Sequence, residues 1–288
     1  MEGTLGPNLK RQKQIGEGLK RVEGGSCHIM GVLNATPDSF HEQSRVQDIQ
    51  LAVETGLAMW QAGATWIDLG GESTRPGAAP VDEQEEIQRV VPIIKELRAN
   101  NSSGLISIDT RRPAVARAAL LAGADLVNDV SGLRDPRMID LVLEAKCGVC
   151  IMHMQGSPGS MQADPTYDDC VGEISSQLLE TARALVAAGH PADLIALDPG
   201  IGFGKTLDHN IQLLHHPEAF RGVENFAILW GVSRKSMIGS ITERNHPSER
   251  LAGTLGAAAV AHYEHVDLLR VHDVEEHIDL LKVLNALS

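Results

Sequence analysis

Residues 194–206 read LIALDPGIGFGKT, and the fold of the whole chain can be worked out from this stretch. Leu194, Ile195, Ala196 and Leu197 make a short apolar run of the kind that forms a strand buried on both faces. The run ends in a carboxylate, Asp198. Pro199, Gly200, Gly202 and Gly204 then rule out an immediate helix and leave a bare, sharply turning backbone. A carboxylate at the end of a buried strand, followed by a glycine-rich turn and Lys205, describes the floor of a small-ligand site. An ordinary tight turn between strand and helix is the competing reading, and these residues alone leave both open.

The same unit repeats on either side. Upstream, strand-like runs at 28–33, 66–69, 105–108, 125–127 and 149–152 are followed by helical spacing at 46–62, 82–99, 113–121, 136–145 and 168–188. Helical spacing at 210–220 follows the opening stretch. Runs at 226–230 and 266–269 then precede helices at 248–264 and 274–287. Gly63 and Gly189 are helix stops. The connection 154–166, with Gly156, Pro158, Gly159 and Pro165, reads as an irregular loop. Eight strand-then-helix units with no other architecture between them predict a single-domain α/β fold. This is a (β/α)8 barrel over residues 27–288, with residues 1–26 as a flexible or capping lead. A doubly wound open sheet is the alternative, but eight units in about 260 residues favour closure.

Composition narrows the class. The chain has 288 residues, 43% hydrophobic and 22% charged, which suits a globular protein with a sizeable core. Aromatics are only 3%, a bias that favours close packing of helices on parallel strands. The net charge of −13 argues against nucleic acid or a membrane surface as partner, though not against a local basic pocket. No apolar run approaches the ~20 residues of a membrane span, and the first 26 residues lack the apolar core of a signal peptide. A reducing cytoplasm is expected. Cys147 and Cys150 form a CxxC, but no second pair completes a zinc site, and residues three apart on a strand point to opposite faces. All four cysteines therefore read as buried structural thiols.

In a (β/α)8 barrel the active site lies at the C-terminal ends of the strands. Those ends supply Asn34, Asp68, Asp109, Asn128, His153, Asp198, the run Ser233-Arg234-Lys235, and the run Arg270-Val271-His272. A single polar loop residue means little, and surface ion pairing is the bland reading of each arginine. Eight polar ends converging on one rim are harder to attribute to solvation. Asp109, Asn128 and Asp198 suit a flat, donor-rich heterocycle, because a carboxylate can take two parallel N–H bonds. Arg75, Arg234, Lys235, Arg270 and His272, with Asn34 and Thr74, suit an anion. Two near-motifs fail. GIGFGKT at 200–206 has three residues where a P-loop needs four before GK, and no GxGxxG follows the first strand. The His215-His216 pair reads as helix surface.

The blocks MGVLNATPDSF (30–40), IDLGGESTRPGA (67–78), SIDTRRP (107–113), LVNDVSG (126–132), MHMQGSP (152–158), LDPGIGFGK (197–205), GVSRKSMIG (231–239) and RVHDV (270–274) occur in this order. Together they closely resemble the dihydropteroate synthases of the pterin-binding barrel family, from about residue 28 to the end. The resemblance implies an alkyl- or aryl-transferase of folate biosynthesis. Such an enzyme condenses 6-hydroxymethyl-7,8-dihydropterin diphosphate with 4-aminobenzoate and releases diphosphate. Carried over residue by residue, it implies a pterin pocket of Asp109, Asn128, Asp198 and Lys235, and a diphosphate site of Asn34, Arg270 and His272. It places Mg2+ near Asn34, and an aminobenzoate region in the segments of Thr74, Arg75, Pro76, Phe203, Arg234 and Ser236. Asp109, Lys235, Arg270 and His272 would carry the catalysis, without a general base. It further implies a homodimer through the late helices, with the Ala-rich segment 251–262 as a close-packing face, and competition by sulfonamides at the aminobenzoate site.

One departure stands out: relatives usually continue DSF with SDGG, whereas this chain reads Phe40-His41-Glu42-Gln43-Ser44, without either glycine. Loop closure is where that change would act. Two rivals share parts of the pattern. A methyltetrahydrofolate:corrinoid methyltransferase would share the pterin-facing Asp and Asn residues but has no use for the GESTRPG loop or the SRK and RVH cations. A non-catalytic pterin-binding paralogue would explain only the altered loop.

Overall fold

Alternation inside each strand decides how the molecule is built. The computed structural model describes residues 5–35, 42–72, 81–156, 159 and 161–287, with the side chains of 42–46 excepted. Its strands are β1 (His28–Asn34), β2 (Trp66–Gly70), β3 (Leu105–Asp109), β4 (Leu126–Asp129), β5 (Gly148–Met152), β6 (Ile195–Asp198), β7 (Ala227–Trp230) and β8 (Leu268–Val271). They pair in chain order, all parallel, and β8 returns to β1, with Met30 opposite Arg270. The expected closed (β/α)8 barrel is present, and the open sheet is excluded.

Because successive side chains point to opposite faces, one set of each strand enters the barrel and the other faces the helices. Ile67 and Leu69, Ile106 and Ile108, Ile195 and Leu197 belong to the outer apolar layer. Trp66, Leu105, Leu126, Cys150, Ala196 and Leu268 fill the inner core. Two residues further along the same strands, the inward positions become Asp68, Ser107, Asn128, Asp198 and Arg270. The polar residues are thus stacked above an apolar plug at the C-terminal end. Burying charges this way costs stability unless they are paired, so the layer has a use other than folding.

The helices are α1 (Leu9–Leu19), α2 (Glu42–Ala62), α3 (Glu83–Asn100), α4 (Pro113–Ala122), α5 (Pro136–Ala145), α6 (Cys170–Ala187), α7 (Leu207–Leu214), α8 (Ser236–Thr242), α9 (Leu251–Tyr263) and α10 (Val274–Leu287). Residues 9–19 show no periodicity in sequence, yet they fold as α1, capped by the Asn8 side chain on the Arg11 N–H. This helix closes the N-terminal end of the barrel. Ile15 and Leu19 are fully buried in the inner core, and the Trp66 indole donates to the Gly18 carbonyl at 2.7 Å. Arg11 adds a two-pronged pair to Asp125, at 2.6 and 2.7 Å. Truncating Leu19 to alanine is expected to cost about 2–5 kcal/mol. That cost should appear as a lower urea midpoint with unchanged Michaelis constants, because α1 lies at the end opposite the rim.

Three sequence expectations are corrected. The last strand is 268–271 rather than 266–269, so Arg270 lies inside it and points into the barrel instead of following it. The helix expected over 210–220 is divided into α7 and a short 3-10 turn, Pro217–Phe220, because Pro217 has no N–H to continue α7. The helix expected from 248 starts at Leu251 after a 3-10 turn at Pro247–Glu249, and α8 goes unforeseen. At seven residues α8 is too short to show a helical period. The changed segment 41–44 lies partly outside the described residues; Glu42 begins α2. Cys147 packs in the outer layer and Cys150 in the inner core, and all four cysteines are buried and free. Among the described residues no helix is long and apolar enough to cross a membrane.

Candidate active site

Arg270 rises from β8 into the barrel between two carboxylates of other strands. Its Nε donates to Asp68 Oδ2 at 2.5 Å and its Nη2 to Asp109 Oδ2 at 2.7 Å. Burial alone would lower the Arg270 pKa, but Asp68 and Asp109 outweigh it and hold the guanidinium charged. Asp109, at the end of β3, is pushed up to about 7 by burial, against the pull of Arg270. Its other oxygen, Oδ1, is buried without a hydrogen-bond partner. An enclosed acceptor with nothing to accept from is a standing invitation to a ligand N–H. Asn128 stands opposite Asp109 on β4 and turns its Nδ2 to Asp68 Oδ2 at 3.2 Å.

Across the barrel, Asp198 ends β6 and is 5% exposed. Its Oδ1 accepts the Gly200 N–H at 2.7 Å, which bends the chain directly behind it. Burial raises its pKa, opposed by Lys235. Gly200 takes φ +70, and a Cβ there would lie 1.8 Å from the His153 carbonyl oxygen, so only glycine fits. Lys235 comes over from the loop after β7. Its ammonium donates to the Ile201 carbonyl and sits 4.4 Å above the Phe203 ring centre. Burial brings it down to about 8, with Asp198 opposing. Gly231 lies between the two, where a Cβ would be 3.8 Å from both Asp198 Oδ2 and Lys235 Nζ, an ordinary contact. Phe203 itself leans on Val130, Met152, Met154 and Met161, an apolar wall beside the charged floor.

Chemically the cavity mouth offers carboxylate and amide acceptors in its floor, two cations beside them, and an aromatic and thioether wall. That combination fits a planar heterocycle with N–H groups and an anionic tail. The chain also matches the model for pterin binding enzymes over residues 30–272. It is 42% identical over 259 residues to the dihydropteroate synthase of Escherichia coli K12, covering 90% of this chain and 91% of that protein. Xanthomonas albilineans dihydropteroate synthase with 4-aminobenzoic acid superposes with a TM-score of 0.83 at 40% identity, over 92% of this chain and 94% of the other. The Burkholderia cenocepacia enzyme complexed with 7,8-dihydropteroate superposes at 0.81 and 42% identity, over 91% of each. The chain belongs to the dihydropteroate synthase family. It is accordingly a transferase.

Within this family member the structure brings together Asp109, Asn128, Asp198, Lys235, Arg270 and Phe203 of the residues singled out in sequence. Asn34 stands exposed at the end of β1. His272 Nδ1 lies 3.0 Å from the Ser233 hydroxyl, which also accepts the His272 N–H. Arg234, at φ +57, pairs with Asp273, its Nε 2.9 Å from Oδ2. Ser236 opens α8 at the surface. Thr74, Arg75 and Pro76 lie outside the described residues. Asp68 appeared among the strand ends but received no role. The signal was the alternation Trp66-Ile67-Asp68-Leu69, which puts the carboxylate on the inward face.

Lys205 turns away from the pocket. The residue is 4% exposed; its Nζ lies 3.0 Å from His153 Nδ1 and donates to the Phe203 carbonyl at 3.0 Å, tying the glycine turn to the end of β5. Burial lowers Lys205 to about 7 and, with Lys205 beside it, His153 to about 3. Asp198 and Cys170 pull Lys205 up, while Lys235 pushes it down. The unfolded chain protonates this lysine below its ordinary 10.5, whereas the fold keeps it neutral down to about 7. Its contribution to stability is therefore present in full above 10.5 and is lost as pH falls through 7. The stability difference between the parent and Lys205→Met should grow in favour of the parent from pH 7 to 10. Urea midpoints across that range give the sign, and a flat or falling difference contradicts a buried neutral lysine.

Proposed function

We propose that this family member condenses 6-hydroxymethyl-7,8-dihydropterin diphosphate with 4-aminobenzoate to give 7,8-dihydropteroate and diphosphate. The observation that carries the reading is the enclosed Asp109 carboxylate, with one oxygen on Arg270 and the other without a partner. In this reading Asp109, Asn128 and Asp198 accept from the N–H edges of the pterin, and Lys235 covers the ring beside Phe203. Arg270, His272 and Asn34 take the diphosphate. The aminobenzoate occupies the outer mouth, among Phe203, Arg234, Ser236 and the segment of Thr74, Arg75 and Pro76, where a sulfonamide would compete.

The bond between the pterin methylene and the diphosphate oxygen breaks first, and its electron pair leaves with diphosphate. Positive charge then spreads over the methylene and ring, where the buried carboxylates stabilise it. The amine lone pair of aminobenzoate is free at neutral pH, forms the new C–N bond, and its proton passes to water. No general base is needed, and His272 serves binding.

In this reading Mg2+ would sit beside Asn34. Among the described residues no three His, Cys, Asp or Glu side chains gather into a cage. The Asn34 amide at the exposed end of β1 would therefore be one ligand, with waters and substrate phosphate oxygens supplying the others, in keeping with the waters and phosphates Mg2+ retains. When bound, it would neutralise the diphosphate as charge develops there. The reading extends to a homodimer and a reducing, cytoplasmic setting. Val260 and Tyr263 on α9 and Val283 and Leu287 on α10 are exposed apolar side chains on neighbouring helices, which supports the dimer. Equilibrium sedimentation at twice the 30.9 kDa chain mass is the expected result. Residues 27–288 form the pterin-binding barrel in this reading, and residues 1–26 cap it.

The test of the reaction is diphosphate release, followed by a coupled assay with both substrates. Turnover that needs both of them is expected. Pterin binding without release would favour a non-catalytic paralogue, and methyl transfer from methyltetrahydrofolate would favour a corrinoid partner enzyme.

A further inference from the structure

Beneath the rim lies a carboxylate that is sealed from the cavity. Asp68 is fully buried in β2, and the groups around it come from three other strands. Its Oδ1 accepts the Ser107 hydroxyl of β3 at 2.5 Å. Its Oδ2 accepts both Asn128 Nδ2 of β4 at 3.2 Å and Arg270 Nε of β8 at 2.5 Å. An ionised carboxylate can only accept, so every neighbour must turn a donor toward it. For Asn128, which has one donor end and one acceptor end, this decides the flip: the NH2 faces Asp68 and the carbonyl oxygen is the end left for other partners. For Arg270 it decides the plane. With Nε on Asp68 and Nη2 on Asp109, the guanidinium is held by two carboxylates along its Nε/Nη2 edge, and Nη1 at its end remains for an anion.

We propose that Asp68 is a positioning residue that sets the donor and acceptor polarity of the pocket, presenting the Asn128 carbonyl to a ring N–H and locking Arg270 for the diphosphate. This deepens the proposed function and rests on it. Asp68 touches no substrate. It acts through the two residues that do, and its place in the interior lets it reach both from one carboxylate. Asn128 and Arg270 sit on β4 and β8, so no single surface loop links them.

The test is Asp68→Asn, which keeps the volume but replaces one acceptor oxygen with a donor. Turned to the side of Oδ2, the new NH2 faces the donors of both Arg270 and Asn128, and both bonds are lost; turned to Ser107, whose hydroxyl can accept it, the amide keeps its partners but no longer carries the charge that holds Arg270. At matched folding, judged by circular dichroism, kcat/KM for the pterin diphosphate should fall at least 30-fold. The KM for 4-aminobenzoate should stay within twofold, a split that a general loss of packing does not produce. In a double-mutant cycle, Asp68→Asn added to Arg270→Ala should cost less than threefold more, because most of its effect passes through the arginine. Equal losses for both substrates, or effects that multiply fully in the cycle, would overturn the proposal. If Asp68→Asn does not fold, Asp68→Ser takes the same two measurements and the same outcomes decide. If Arg270→Ala alone leaves kcat/KM for the pterin diphosphate unchanged, the assignment of Arg270 falls, and the role of Asp68 falls with it. A loss with Arg270→Ala but none with Asp68→Asn removes only the present inference.

Discussion

Asp198→Ala should lower the affinity for 6-hydroxymethyl-7,8-dihydropterin by roughly 10²–10³-fold, about 3–4 kcal/mol, within the range for truncating one partner of a buried, hydrogen-bonded charge contact. Two losses combine. The ring loses an acceptor, and Lys235, whose pKa Asp198 now helps to hold up, is left with burial unopposed by that partner. Its pKa should therefore drop below about 8. Asp198→Asn would retain an oxygen for the Gly200 N–H and lose less. Isothermal titration with the free pterin, without diphosphate, reads this directly. Affinity that stays within threefold of the parent in the alanine variant would take Asp198 out of the pterin pocket.

Arg270→Ala should reduce kcat/KM for the pterin diphosphate by about 10²–10³-fold, as for loss of one preorganised donor at a developing anion. The family resemblance puts Arg270 in the diphosphate site, so the loss for the diphosphate should far exceed the loss for the free pterin. The structure adds a cause for the second loss, because Arg270 also neutralises Asp68 and Asp109, buried side chains on β2 and β3. Without it the two carboxylates face one another, and Asp109 rises above about 7 because its largest opposing influence is gone. Asp109 would then hold its proton at neutral pH and accept poorly from the ring. Free pterin binding should weaken too, though less than binding of the diphosphate, and should recover partly as pH is raised. Titrations of both ligands at pH 6 and 9 separate these effects. Equal losses for the two ligands at both pH values would contradict the diphosphate role.

Much of this protein was legible in the order of its residues. Apolar runs of four or five with glycine stops between amphipathic segments are local patterns, and eight in succession leave little choice beyond a closed barrel. The rim was legible for the same reason, since a strand end is recognised from its own neighbours: Asp109 after Ile108, Asp198 after Leu197, and Lys235 shortly after Trp230. The helix α1 was not, because eleven mostly polar residues owe their helicity to Ile15 and Leu19 entering a core made by distant strands.

The sequence by itself determined which strands exist, their order, and which side chains stand at their C-terminal ends, because those depend on period and on short-range turn chemistry. Only the tertiary structure decided what those side chains do to one another. The last strand read two residues early in sequence, since its apolar run begins at Val266; pairing with β1 and β7 moved it to Leu268–Val271 and turned Arg270 inward. The bonds of Arg270 to Asp68 and Asp109 then span 202 and 161 positions of chain. Two lysines follow strand ends, yet the fold sends Lys205 to His153 and Lys235 over Phe203. Closing a barrel brings residues from opposite ends of a chain within hydrogen-bonding distance, and neither the angle of approach nor the partner found there is written in the residues on either side.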